Sequence, residues 1–416
     1  MIAQVILPDA SWLTTGSLAH VLAVLDRAGE EARAVGGAVR NALLGHQPGE
    51  IDIATTALPD VVIERARIAG FKAVPTGIDH GTVTVIADGV PFEVTTLRAD
   101  IETYGRKAKV AFGRDWQVDA ERRDFTMNAL SANRAGEVFD YVGGLADLQA
   151  RRVRFIGDPA RRIAEDYLRI LRFFRFHATY GAGSPDPAGV AACVAQRAGL
   201  DHLSRERVRM ELMKLLVAPH ATPTMAVMAE AGLLEMVLGG VPLLASFENT
   251  CKAETATGIP ADAARRLGAL GVSIVEDAER LWRRLRLTNS EHARLVSIAE
   301  GWSQVTPDAG DIAARELLYR LGPGRFVDRV LVAWSRSPAG VADEGWKALA
   351  TLPAHWSAPK FPIRARDFIK RGIEKGPRLG AALAAAEQAW IAAGFPEGKA
   401  ALATVVDEAI AAATKE

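Results

Sequence analysis

Cysteine is scarce: Cys193 and Cys251 are the only two in 416 residues, far apart and in no CxxC spacing. A disulfide framework and a cysteine zinc site are thereby excluded, and a reducing compartment is the expected setting. Long apolar runs are missing too. No stretch approaches the about 18 uninterrupted apolar residues of a membrane span, so no membrane partner is expected. The N-terminal run MIAQVILPDASWL has no basic region and breaks at Pro8-Asp9, which is not the pattern of a secretory leader. A cytoplasmic location is the expectation. An excess of either charge is also lacking, with 50 Lys+Arg against 50 Asp+Glu. That balance argues against a protein that clings to polyanions over its whole surface, while leaving room for a local basic face. Finally, there is no GxxxxGK[ST] loop, no GxGxxG, no HExxH and no GxSxG. The eight histidines form no ligand pattern, and none is followed by Asp.

What is present reads as a globular chain, 49% apolar and 24% charged, which rules out wholesale disorder. Its length suggests two or three domains of roughly 100–200 residues. The first 150 residues mix periods. Residues 33–35 read as a short strand running into Gly36-Gly37, with a helix over 38–44 after it. Residues 50–54 read as a strand and residues 59–69 as a helix opening on Pro59. Residues 82–87 and 91–97 are β-rich runs joined across Asp88-Gly89, a strong hairpin signal. From about Asp158 alanine, leucine and arginine dominate, and helical spacing persists with breaks at residues 182–187 and 353–362. The Ala-rich tail over 379–414 reads as packed or surface helices. The expected fold is therefore α+β: an N-terminal mixed β-sheet head followed by an all-helical remainder.

Several residues in the head could carry chemistry. Gly36-Gly37 between a strand and a helix lets backbone approach a ligand closely, and Arg40 in the first turn adds a cationic fork. A glycine pair alone is usually only a turn. In Glu50-Ile51-Asp52-Ile53, strand alternation would put both carboxylates on one face and both isoleucines on the other. Two adjacent acids repel unless a cation sits between them, and hard oxygen ligands suit Mg²⁺; the bland reading of an isolated ExD is a solvated strand face. Glu93, on a separate strand, would complete three carboxylates, the minimum for a two-metal phosphoryl or nucleotidyl transfer centre. Further on, Asp166, Arg169, Arg172 and Arg175 step by three along a predicted helix. Leu168, Leu171 and Phe174 occupy the adjoining face, so the helix packs and its arginines line something. Residues 151–180 hold eight arginines against three acids and no lysine, which suits planar base and phosphate recognition.

These segments together resemble one family. VGGAVRNALLG followed by EIDIATTALP is similar to the nucleotidyltransferase signature of the class II tRNA CCA-adding enzymes and bacterial poly(A) polymerases, within the polymerase-β superfamily. The likeness continues through EVTTLR (93–98), ERRDFTMNAL (121–130), GGLADLQARRVRFIGDP (143–159), AEDYLRILRFFRF (164–176) and HLSRERVRMELMKLL (202–216). So many ordered matches span roughly residues 33–220. The resemblance implies a nucleotidyltransferase head over 1–150, a helical neck over 151–217 for base selection and RNA binding, and a helical body and tail over 218–416 that bind tRNA.

It also implies roles. Glu50 and Asp52 would ligate Mg²⁺, and Glu93 would be the third carboxylate, accepting the proton of the attacking 3′-hydroxyl. Gly37 and Arg40 would hold the triphosphate of CTP or ATP. Arg123 would add a phosphate or sugar contact, its alternative being a structural ion pair with Asp124 or Glu121. In the family the residues matching Asp166 and Arg169 read the base, with Arg172 and Arg175 continuing the nucleotide-binding stripe. Carboxylate only accepts and guanidinium only donates, so the pair fits the amino donor beside a ring-nitrogen acceptor of cytosine and adenine and rejects uracil and guanine. The expected activity is addition of C, C and A to the tRNA 3′ end without a nucleic-acid template. A poly(A) polymerase or partial-adding enzyme of the same family is the alternative. The GRRF-like segment typical of poly(A) polymerases is absent from GIDHGTVTVIADGVPFEV (77–94), which favours CCA addition. Two departures stand out: Asn41 where the family motif usually reads GGxVRD, and Glu50 where it usually reads DxD. The second shifts a carboxylate by over about an ångström at a metal strict about geometry, and motivates a remoter alternative, a catalytically silent RNA-binding protein.

Overall fold

In the computed structural model, residues 5–104 and 107–413 are described. Residues 1–4, where the N-terminal run begins, and Thr414, where the expected tail ends, lie outside them. The chain forms two compact units, Met1–Gly239 and Gly240–Glu416.

The first unit is built on an eight-stranded sheet. Its strands are β1 (Val5–Ile6), β2 (Ala32–Val35), β3 (Asp52–Thr55), β4 (Lys72–Gly77), β5 (Thr82–Ala87), β6 (Val90–Thr96), β9 (Ser131–Ala132) and β10 (Glu137–Phe139). Two further strands, β7 (Arg98–Tyr104) and β8 (Lys107–Phe112), form a separate antiparallel pair. The sheet order is β1-β10-β9-β2-β3-β6-β5-β4, with β3 and β6 parallel and the other pairs antiparallel. The β5–β6 hairpin turns at Asp88-Gly89, both at positive φ (51° and 79°), the backbone that a two-residue turn of this hand demands.

The parallel pairing of β3 with β6 decides the chemistry. Its register sets Asp52 opposite Glu93, two strands that are remote in sequence. On the other side, Asp52 pairs with Val35, the last residue of β2 before Gly36 turns the chain into the Gly37–Leu43 helix. Because β2 ends there, no partner remains for Glu50. The strand therefore starts at Asp52 rather than at residue 50, and Glu50 lies in the connection after Gly49, whose φ is 74°.

Beyond Phe155 every regular element among the described residues is helical. The Leu168–Tyr180 helix joins the sheet's unit through aromatic packing: Phe125, Phe155 and Phe173 are buried and mutually in contact, and Phe176 meets Phe125 at 5.2 Å between ring centroids. An isolated bridge between Phe125 and Phe155 pins the same spot in backbone terms.

The second unit is all helical among its described residues. One core gathers Phe326, Trp334 and Trp346; another gathers Phe368, Trp390 and Phe395. Charged groups buried there are mutually paired, as Glu254 is with Arg265 and Arg266, which is what makes their burial tolerable. The expected break near residue 353 opens at Trp356, past a helix that accommodates Pro353. The alanine-rich tail forms two helices, Pro377–Ala392 and Lys399–Ala413. No helix of the described residues is long and apolar enough to cross a membrane.

Candidate active site

A cleft of about 780 Å³ in the first unit collects residues from five separated stretches of chain. Gly36, Gly37 and Arg40 enter from the turn after β2, Glu50 and Asp52 from the start of β3, and Arg122, Arg123, Asp124 and Asn128 from the segment before β9. The facing wall takes Arg169, Arg172 and Tyr180 from the Leu168–Tyr180 helix and Arg207 and Lys214 from the Arg205–Leu216 helix, with Asp166 just ahead of the first. The likeness in sequence thus becomes a shared cavity.

Gly36 takes φ 69°, and a Cβ there would come within 3.4 Å of the Arg123 guanidinium and 3.5 Å of the Asn128 carbonyl. Those are ordinary contact distances, so glycine is required here for its left-handed backbone conformation rather than for space. The bend presents Arg40, which is 6% exposed and receives neutral acceptors: Asn128 Oδ1 at 2.5 Å, Asn41 Oδ1 at 3.0 Å and the Tyr180 hydroxyl at 2.7 Å.

Asp52 is open to solvent but set against its neighbours. Burial of its carboxyl within the cleft raises its pKa and the Glu93 carboxylate raises it further; Arg123 pulls it back, and Glu50 adds the smallest upward push. Like charges gathered in this way call for a cation. Among the described residues, no three His, Cys, Asp or Glu side chains converge tightly enough to hold a metal by themselves. Glu93 does not line the cleft itself; it reaches the site only as the cross-strand neighbour of Asp52.

The arginines differ in their engagements. Arg123 donates to Asp119 Oδ2 from Nη2 at 3.1 Å, so its ion-pair partner is neither Asp124 nor Glu121. Asp119, buried, pairs with Arg122 as well at 2.7 Å. Burial pushes the Asp119 carboxyl up, but both guanidiniums outweigh it and hold the carboxyl below its ordinary range. Arg172 donates to Asp124 Oδ2 at 2.8 and 2.6 Å.

Asp166 is not on the helix that its spacing suggests. It sits in extended backbone (φ −156°, ψ 106°) between the Pro159–Glu165 and Leu168–Tyr180 helices. The reason is local: its Oδ1 accepts from the Leu168 amide at 3.1 Å, the competing side-chain bond by which aspartate starts helices. Its Oδ2 accepts from Arg207 Nη2 at 2.5 Å. Arg169, one turn on, donates to Glu165 and to the Arg162 carbonyl. Arg175 is the one residue of the expected stripe that does not line the cleft; it pairs with Glu211 and lies over Phe176, 4.3 Å from the ring centroid. Steps of three drift around a helix, and by the fourth position the side chain has left the cavity.

Residues 32–154 match the family described as the Poly A polymerase head domain, and residues 184–247 the probable RNA and SrmB-binding site of polymerase A. The mitochondrial CCA tRNA nucleotidyltransferase 1 of Mus musculus is 33% identical over 399 residues, covering 93% of this chain and 89% of its own. The chain belongs to the CCA-adding nucleotidyltransferase family. A second relative, the CCA-adding enzyme of Anoxybacillus flavithermus, is 42% identical over 216 residues, 51% of this chain and 53% of that one. The CCA-adding enzyme of Bacillus stearothermophilus, solved with CTP, superposes with a TM-score of 0.75 at 29% identity, covering 96% of this chain and 98% of that one.

CCA-adding enzymes are nucleotidyltransferases that work with divalent metal ions, and the carboxylate chemistry of this cleft fits that need. Sequence reasoning passed over Arg207, Asn128, Tyr180 and Lys214 as site residues. Three of them stand inside the quoted family segments or at their edge: Asn128 in ERRDFTMNAL, and Arg207 and Lys214 in HLSRERVRMELMKLL. Tyr180 closes the helix four residues past AEDYLRILRFFRF and carries no sequence signal of its own.

Proposed function

We propose that this chain adds C, C and A, from CTP and ATP, to the 3′ end of tRNA without a nucleic-acid template. The reading rests on a single observation: the acidic edge around Asp52 and the Asp166–Arg169 pair share one cleft, so a nucleotide spanning it meets transfer chemistry at one end and base reading at the other. Glu50 and Asp52, with Glu93 beside them, would hold Mg²⁺, which supplies charge neutralisation at the triphosphate and acidifies a bound hydroxyl.

The chain's own residues do the rest. Arg40 and Arg123 hold the triphosphate and Gly37 lets backbone approach it. Glu93 takes the proton of the tRNA 3′-hydroxyl as its oxygen bonds the α-phosphorus; the α–β bridging bond breaks and pyrophosphate leaves. Asp166 accepts from the exocyclic amine of cytosine or adenine, having lone pairs beyond those given to Leu168 and Arg207. Arg169 donates to the neighbouring ring nitrogen, and Arg172 keeps that helix wall cationic. Arg175 serves the same wall from behind, by its stack on Phe176. In functional terms residues 1–150 are the head, 151–217 the neck and 218–416 the tRNA-binding body and tail. Two unbridged cysteines fit a cytoplasmic place of work.

The test is purified protein with tRNA lacking CCA, Mg²⁺ and each nucleotide alone and together. Incorporation of CTP, then of ATP, is expected. Efficient ATP-only tailing of unstructured RNA would replace this reading by poly(A) polymerase. RNA binding with no incorporation of either nucleotide would replace it by a silent binding protein.

A further inference from the structure

We infer that Asn41 and Tyr180 are positioning residues that seat Arg40 on neutral oxygens alone, keeping its whole charge available to the nucleotide's triphosphate; the inference rests on the functional reading above. The other arginines lining the cleft each meet a carboxylate: Arg122 and Arg123 meet Asp119, Arg169 meets Glu165, Arg172 meets Asp124 and Arg207 meets Asp166. Arg40 is the exception among the described residues. Its guanidinium donates to two amide oxygens and one phenol, and the Tyr180 ring lies 4.0 Å from it as a further neutral contact. A cation 6% exposed and without a counter-anion is costly to bury. Burial accordingly works to lower its pKa, with the phenol and distant Asp124 pulling the other way and Arg175 adding to the decrease. An incoming polyanion relieves that cost.

The identity of residue 41 matters for this. Guanidinium only donates, so the oxygen of the Asn41 amide must face Arg40 and its nitrogen must face away. That nitrogen points to the Gln47 and Pro48 carbonyls at 3.5 and 3.4 Å, in the connection that leads to Glu50. Aspartate in this place would pair with Arg40, cancel its charge and turn lone pairs toward two carbonyls. Asparagine here therefore both frees the cation and faces the loop bearing Glu50 with a donor. Tyr180 adds a link of another kind. It ends the helix that carries Arg169 and Arg172, so one rigid element touches the base-reading side and the triphosphate seat.

Tyr180→Phe keeps the ring and removes the hydroxyl; Asn41→Asp keeps the shape and adds the charge. The readouts are KM and kcat for CTP and ATP on tRNA, and inhibition by Mg²⁺–tripolyphosphate, which has no base to read. For Tyr180→Phe we expect KM for both nucleotides and the inhibition constant to rise together by about 3–10-fold, with kcat held within about twofold. For Asn41→Asp we expect about tenfold or more on the same constants, with choice among bases unchanged. Melting temperature and tRNA affinity near those of the unaltered protein certify the fold. Unchanged tripolyphosphate inhibition in both variants overturns the inference, as does a change in base choice at constant triphosphate affinity. Failure of the unaltered protein to use CTP or ATP strikes the functional reading instead, because tripolyphosphate binding is then still measurable by thermal shift.

Discussion

Asp52 concentrates the conflict between stability and function at a single side chain. Its folded-state pKa lies above the ordinary 3.8, because burial and the Glu93 carboxylate disfavour the charged form. The fold therefore gains from the protonated carboxyl; that gain is complete below pH 3.8 and is lost as pH rises through the raised pKa. At neutral pH, without metal, the ionised group works against the fold. Asp52→Asn is expected to abolish nucleotide incorporation while raising the metal-free melting temperature at pH 7 by roughly 1–3 °C, a modest figure because solvent screens the site. Added Mg²⁺ should raise the melting temperature of the unaltered protein and leave the variant where it is. A variant that melts lower than its parent without metal would contradict the repulsion. Arg207 raises a separate question of specificity. It alone of the described side chains reaches Asp166 across from another helix, so Arg207→Gln should let that carboxylate wander. Discrimination of CTP and ATP against UTP and GTP is then expected to fall by about tenfold in single-nucleotide incorporation, the scale of a charge-assisted hydrogen bond.

At the level of elements, the Leu168–Tyr180 helix is the part that makes a site out of a sheet. Phe173 is fully buried in it and packs on both Phe125 and Phe155, so Phe173→Ala should cost about 3–5 kcal/mol and release the helix wall from the head. Thermal denaturation checks this, and an unchanged midpoint would mean the helix is held elsewhere. The helix was legible in the sequence because apolar positions alternate with its arginines at helical spacing; so were β5 and β6, bounded by Asp88-Gly89. Strands β1, β9 and β10 were not, since two or three residues are too few for alternation to register. The placement of Glu50 and Asp166 escaped for related reasons. Each lies one or two residues beyond an element end, where pairing of β2 with β3 and an aspartate-to-Leu168 amide bond decide the backbone, and periodicity carries no sign of either. The chemistry of the cleft was largely legible because it depends on residue type. The partners that tune it, Arg207, Tyr180 and Asn128, come from elements whose meeting only tertiary packing determines.

On the scale of the whole chain, zero net charge turns out to be a sum of locally paired charges: the cleft arginines other than Arg40 each meet a carboxylate, as buried Glu254 meets Arg265 and Arg266 in the second unit. Each of the two units has a buried core of its own, so unfolding of so long a chain need not be a single cooperative step. Scanning calorimetry is expected to resolve two transitions. Mg²⁺–CTP binds only the first unit in this account, because every residue assigned to the nucleotide lies before Gly239. At about 100 times its dissociation constant it should stabilise that unit by about 2.7 kcal/mol, an upward shift of roughly 5–10 °C, while the other transition stays fixed. Phe173→Ala identifies the first unit independently, since the transition it lowers must be the one that CTP raises. Transfer RNA should behave differently: if residues beyond 240 hold it as proposed, both transitions rise. A nucleotide shift in the transition that Phe173→Ala leaves untouched would place the nucleotide in the wrong half of the chain and remove the basis for the cleft's assignment.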